Sequence, residues 1–370
     1  MGVKTDKRTK WRKAVRRTAK KRIKYKPVIS GVAGARRKRR RVTAAPRLRT
    51  DGEKILKGCC MKQNMFAGYK DYPINLAVWD EVEGPVKGVV QILHGMVEHI
   101  GRYDEFGRFL NKNGYVALGD DHRGHGVTAQ GRLGVVPEGD CFNDTVEDEI
   151  LIGKYARETY DAPLLVFGHS YGSFLTQRYI QKSSEISAAV LCGSACMDIP
   201  DVKAGLAVAN MQAKIFGKDK EAKLIRNMSF GPYNAQFKAE KKENAWLTRD
   251  DERREKYNAD PMCNYTMSIG FYTSFFAALR KLYAPEALSG IPKELPVYII
   301  SGDKDPVGGN GKLINKLYEV YKDNGLLNVS VKLYPDARHE LLNELNRDEV
   351  MADVLNFYNG VVDTGKEKEE

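Results

Sequence analysis

The segment Gly168-His169-Ser170-Tyr171-Gly172 constrains this chain more than any other. It follows a short apolar run, Leu164 to Phe167, that reads as a buried strand, and it opens a helical pattern from Gly172 to Lys182. A Ser flanked by glycines between a strand and a helix sits on a sharp, strained turn. There the missing Cβ atoms let neighbouring backbones pass closely, and the hydroxyl stands above the sheet. The motif alone is common. Its setting between strand and helix makes Ser170 a candidate nucleophile.

The rest of the body supplies the sheet that such a turn needs. Continuous apolar runs at Lys87 to Leu93, Tyr115 to Leu118, Ala188 to Cys192 and Val297 to Ile300 suit strands covered on both faces, and Val329 to Tyr334 alternates more. Helical patterns at Tyr103 to Asn113, Asp144 to Tyr160, Gly311 to Asp323 and Asp348 to Tyr358 lie between or after them. Strands alternating with helices imply an α/β fold with a mostly parallel sheet. Between Ser194 and Pro296 the rhythm stops and the composition turns charged and helical, which predicts a helical cap inserted in the sheet. In that cap Phe216, Phe271, Tyr272, Phe275 and Phe276 are candidates for an acyl pocket, although their helical spacing favours packing.

A Ser hydroxyl is a poor nucleophile until a base takes its proton and an acid orients that base. On a sheet with this kind of elbow the partners follow in the order Ser, acid, His. Of the six histidines, at 94, 99, 122, 125, 169 and 339, only His339 follows Ser170, and it sits just past the last strand run. The strand Val297 to Ile300 leads into Ser301-Gly302-Asp303-Lys304-Asp305-Pro306, so both Asp303 and Asp305 stand where α/β sites collect. Asp305 is the better acid, because Gly302 permits a tight turn and Pro306 fixes the chain directly after it. Asp303 then caps the turn. Acyl transfer also requires donors for a developing oxyanion. The N–H of Tyr171, after the nucleophile, and that of Met96, in the loop after an early strand, are the candidates. His94, His99, His122 and His125 read as loop-organising residues near the site, with Glu98, His99 and Arg123 steadying the oxyanion loop. No metal or cofactor site is expected, because no Cys or His spacing suggests zinc.

Charge divides the chain in two. Residues 1 to 50 hold 21 Lys/Arg against one acid, Asp6, a charge of +20, which leaves −8 for the remainder of a chain whose total is +12. Nucleic-acid binding by the body is therefore not expected. The arm, residues 1–60, carries Trp11, Val15, Ala19 and Ile23 at i+4 between basic residues, together with the run ARRKRRR. It is expected to be disordered alone and suited to an anionic membrane or RNA. Met61 and Met65, ahead of the first strand-like segment, offer an alternative start for the natural product. No run approaches the roughly 18–20 apolar residues of a membrane span. Six Cys without a secretory signal suggest reduced thiols and a cytoplasmic setting, peripheral to a membrane if the arm binds one.

Several motifs occur together and in order: HGMVEHIGRY from His94, DHRGHG from Asp121, GHSYGS, SGDKDPV and ARHE. In this combination the chain resembles the serine α/β-hydrolases of the monoacylglycerol lipase and lysophospholipase group, over about residues 66–360. The resemblance implies an α/β-hydrolase fold with a helical cap, cofactor-free ester cleavage, and a small lipid or ester substrate. It carries over the nucleophile to Ser170, the acid to Asp305, the base to His339 and the oxyanion donors to Met96 and Tyr171. The expected division is a core at 61–195 and 291–362, a cap at 196–290 and a charged tail at 363–370. A proline-iminopeptidase-like activity on the same fold, and a binding module using the arm, are the alternatives.

Overall fold

The structure, a computed structural model, describes residues 49–55 and 61–366. The stripe from Trp11 to Ile23, the ARRKRRR run, Cys59, Cys60 and residues 367–370 lie outside the described residues. Among the described residues nine strands form one sheet: β1 (Arg49–Ile55), β2 (Lys62–Ala67), β3 (Pro73–Trp79), β4 (Gly88–Leu93), β5 (Tyr115–Asp120), β6 (Leu164–His169), β7 (Ala188–Cys192), β8 (Val297–Gly302) and β9 (Val329–Tyr334). Their spatial order is β1-β2-β3-β5-β4-β6-β7-β8-β9. The first three pair antiparallel, and β3 meets β5 antiparallel. From β5 onward every pairing is parallel. Arg49–Ile55, expected to belong to the disordered arm of residues 1–60, instead pairs as the edge strand of the sheet.

Why the central strands read as unbroken apolar runs is visible in their packing. Val89, Leu93, Leu164 and Val166 face one side of the sheet, while Val90, Ile92, Leu165 and Phe167 face the other, the period of two that a pleated strand imposes. Both sides are covered. On one lie α1 (Asp104–Lys112), with Phe106 and Leu110, and α10 (Arg347–Lys366), with Val350, Val354 and Tyr358. On the other lie α2 (Cys141–Tyr160), α3 (Tyr171–Lys182) and α9 (Lys312–Asp323). Each large side chain buried in these layers is worth roughly 1.5–3 kcal/mol relative to exposure. Cys141, Cys192, Cys196 and Cys263 are buried free thiols.

The interval without strand runs folds as five α-helices, α4 (Pro200–Phe216), α5 (Lys223–Ala235), α6 (Asp251–Ala259), α7 (Ile269–Leu282) and α8 (Pro285–Leu288), with one 3-10 turn at Lys238–Glu240. Asp250 starts α6 by accepting from the N–H groups of Glu252 and Arg253 at 3.0 and 3.2 Å, and Ser268 caps α7. Phe271, Tyr272 and Phe275 of α7 are buried in the main core, whereas Phe216 at the end of α4 is exposed. Packing therefore accounts for the α7 aromatics. No helix among the described residues is long and apolar enough to cross a membrane.

Candidate active site

Ser170 joins β6 to α3 with φ 50° and ψ −116°, a conformation that a residue bearing a side chain enters only under constraint. The constraint comes from both neighbours. A Cβ on Gly172 would collide with the carbonyl oxygen of Leu93, and one on Gly168 would lie 2.6 Å from that of Gly172. Only glycines let β6 turn into α3 this tightly. The Ser170 N–H donates to the Cys192 carbonyl at 2.9 Å, and its own carbonyl accepts from the Ser173 hydroxyl at 2.6 Å.

Asp305 and His339 arrive from the end of β8 and from the loop after β9. Gly302 closes β8 where a Cβ would collide with the carbonyl oxygen of Ala337, so close approach rather than a positive φ requires the glycine. That approach brings Asp305 Oδ2 to 2.9 Å from His339 Nδ1. The same carboxylate accepts from the Ser301 hydroxyl at 3.1 Å and from the Val307 N–H at 2.9 Å. Asp303 has another task. It accepts from the Asp336 N–H at 2.8 Å and so pins the turn leading to His339. Burial disfavours a charged imidazole at His339, but the adjacent Asp305 carboxylate outweighs it and raises the pKa above 6.5. With Nδ1 engaged, Nε2 is buried and has no hydrogen-bond partner among the described residues.

Met96 lies in the loop after β4, where Val97 adopts φ 55°, costly for a β-branched residue. Glu98 holds this loop by accepting from the Gly95 N–H at 2.5 Å and the Tyr103 hydroxyl at 2.9 Å. Arg102 then bridges Glu98 to Glu340, the residue after His339, with bonds of 2.8 and 2.7 Å to the two Glu340 oxygens. One guanidinium thereby ties the loop of Met96 to the loop of His339. Tyr171 opens α3, so its N–H is among those that have no partner within the helix.

The upstream histidines organise backbone and pair with carboxylates. His94 Nε2 accepts from the His122 N–H at 3.0 Å, which leaves Nδ1 to donate to the Gly95 carbonyl at 2.7 Å. Burial and the His122 charge hold His94 well below the usual histidine range. His122 Nδ1 lies 2.9 Å from Asp120 and 3.1 Å from Glu149, wholly buried. These carboxylates hold its pKa well above the usual range in spite of that burial. His99 reaches the cap by Nε2 to Asp260 at 2.9 Å. Arg123 binds Asp148 of α2 and not the loop of Met96. Asp120, His122 and Glu149, and likewise His99, Asp260 and Cys263, bring ligand-type atoms within 4.8 Å of one another. In both groups the imidazole is already paired with a carboxylate.

Ser170, His339 and Met96 line one cleft. Its cap wall consists of Arg226, Phe230, Asn244, Trp246, Leu247, Tyr257 and Asn264, none of which the sequence singles out as a site residue. Their spacing lacks a helical stripe because they come from α5, α6 and the loops around them.

A Ser on a strained elbow, an imidazole held by a buried Asp, and a loop of constrained N–H groups are the parts of a nucleophilic hydrolase. Residues 84–346 match the Hydrolase_4 family, described as serine aminopeptidase, S33. The chain belongs to this family of α/β-hydrolases. Among relatives, the monoacylglycerol lipase of Mycolicibacterium smegmatis is 27% identical over 301 residues, covering 80% of this chain and 96% of that one. The monoglyceride lipase of Saccharomyces cerevisiae is 27% identical over 78% of this chain and 87% of its own. A thermostable carboxyl esterase from Bacillus coagulans, solved with glycerol, superposes with a TM-score of 0.75 at 28% identity, over 82% of this chain and 99% of that one.

Proposed function

We propose that this member of the family cleaves carboxylic esters of the monoacylglycerol or lysophospholipid type through an acyl-enzyme. Ser170 attacks the ester carbonyl as His339 Nε2 takes its proton. Asp305 holds the imidazole in the required tautomer, and the N–H groups of Met96 and Tyr171 receive the oxyanion. The imidazolium passes the proton to the leaving alcohol. Water then repeats the sequence on the acyl-Ser170 ester and releases the acid. The observation that carries this reading is the 2.9 Å bond from His339 Nδ1 to Asp305 beside an Nε2 with no partner among the described residues, in the cleft that also holds Ser170.

The family's description raises a peptidase reading, which needs a carboxylate in the cleft to hold a substrate amine. The carboxylates lining it, Glu98 and Glu340, are both bound by Arg102. The cap acids Asp251 and Glu252 pair with Lys242 and Lys256 at the surface. That distribution favours ester over peptide. Assayed side by side, p-nitrophenyl acyl esters should turn over and prolyl anilides should not, and Ser170→Ala should lower ester turnover by about a million-fold. Anilide turnover exceeding that of every ester would replace this reading with the peptidase. A cytoplasmic site of action, with the basic arm at an anionic membrane, completes the proposal. Cosedimentation with anionic vesicles, lost on removal of residues 1–48, is its check.

A further inference from the structure

The cleft contains a cation that its own walls do not neutralise. Arg226, on the inner face of α5, lines the cavity with Ser170 and His339. Among the described residues its side chain bonds only a neutral amide, the Asn264 Oδ1 at 2.7 Å, and no carboxylate lies within ion-pair distance. The nearest acid in that network is the exposed Glu243, on the far side of Asn264 at 3.3 Å from Nδ2. The lining carboxylates cannot serve Arg226. Glu98 is occupied by Gly95, Tyr103 and Arg102, and both oxygens of Glu340 are held by Arg102, with Asn343 sharing one. A guanidinium in a partly desolvated cleft without a counter-charge is stabilised by an anion brought in from outside, and its planar fork suits phosphate or carboxylate. Phe230, Trp246 and Leu247 supply the apolar surface beside it.

We infer that Arg226 is a specificity-determining residue that binds an anionic oxyacid group, phosphate or carboxylate, on the ester amphiphile cleaved at Ser170. This inference rests on the ester-hydrolase reading for its substrate, but not for the anion site itself.

Two arms test it separately. In the first, the full-length Ser170→Ala protein is titrated by calorimetry with octyl phosphate, octyl glucoside and inorganic phosphate. Octyl phosphate should bind about 10- to 100-fold more tightly than octyl glucoside, the scale of a charge-assisted hydrogen bond. Arg226→Gln should close that gap, and Arg226→Lys should restore part of it. Equal binding of the two octyl compounds, or a gap that persists in Arg226→Gln, would overturn the inference. So would inorganic phosphate binding as tightly as octyl phosphate, since that would mark a bare anion site. In the second arm, kcat/KM is compared for a 1-acylglycerol and its 3-phosphate with the same acyl chain. Their ratio should favour the phosphate and fall about 10- to 100-fold in Arg226→Gln. An unchanged ratio would overturn the inference while leaving the ester reading intact. Phosphate-selective binding without turnover of either ester would uphold the anion site and end the ester reading.

Discussion

At the scale of single residues, Asp303 and Asp305 divide the work of one turn, and their different partners predict different losses. Asp305 touches the imidazole, so Asp305→Asn should lower kcat for p-nitrophenyl butyrate by about 10⁴-fold, the effect of stranding the base in the wrong tautomer. Asp303→Asn keeps an oxygen to accept from Asp336 and should change kcat by less than about tenfold, since the carboxylate does not reach His339. Equal losses would mean that the assignment of roles is wrong. The pH profile belongs to this scale as well. His339 must be neutral to act as base, and Asp305 raises its pKa above 6.5 against the effect of burial. The profile of kcat/KM should therefore rise with pH through an apparent pKa above 6.5, and an acid limb centred below that value would contradict the pairing. The two candidate acids, two positions apart, illustrate what a sequence holds at this scale. Order along the chain isolates His339, and the proline after Asp305 favours that carboxylate. The cap-side wall, Arg226 among it, is chosen by three-dimensional closure and leaves no local pattern.

At the scale of elements, the loops after β4 and β9 are coupled by Arg102, whose side chain is 12% exposed between Glu98 and Glu340. Removing one partner of a largely buried ion network leaves charges unpaired at a cost of about 3–5 kcal/mol. Arg102→Met should accordingly lower stability by about that amount in urea unfolding, and Arg102→Lys, which keeps the charge but not the fork, should lose less. A change under about 0.5 kcal/mol for Arg102→Met would show that the bridge does not hold the loops. No reading of the chain could have paired Arg102 with Glu340, because they are 238 positions apart. The parallel strands were legible because burial on both faces writes them as unbroken apolar runs. The antiparallel β2 and β3 were not. Phe66 is the one buried residue of β2, and β3 begins with Pro73 and carries Asn75, a buried amide whose bond to Asp121 compensates its desolvation.

Across the whole molecule, the core beneath the site carries its own pH dependence. Burial first, and then the Asp120 charge, push Glu149 from 4.5 up to about 8, while the carboxylates around His122 raise that imidazole. Both groups have folded pKa values above their unfolded ones. The folded state then holds more protons, so the stability they contribute is complete at low pH and is lost as pH rises, for Glu149 between about 4.5 and 8. Glu149→Gln removes that ionisation. The wild type should lose stability relative to this variant between pH 5 and pH 8 in thermal melts, and parallel profiles would contradict the assignment. The α/β architecture was readable at this scale because strands and helices alternate. The strand at Arg49–Ile55 was hidden inside a stretch whose charge dominates its pattern.

The proposed ester cleavage requires Ser170 to be the nucleophile, activated by the His339–Asp305 pair. The most direct measurement is labelling of the full-length protein with a fluorophosphonate, followed by mass mapping of the modified peptide. One adduct on Ser170 is expected, formed rapidly in the wild type and lost in His339→Gln. Labelling elsewhere, or labelling of Ser170 at an unchanged rate in His339→Gln, would contradict it.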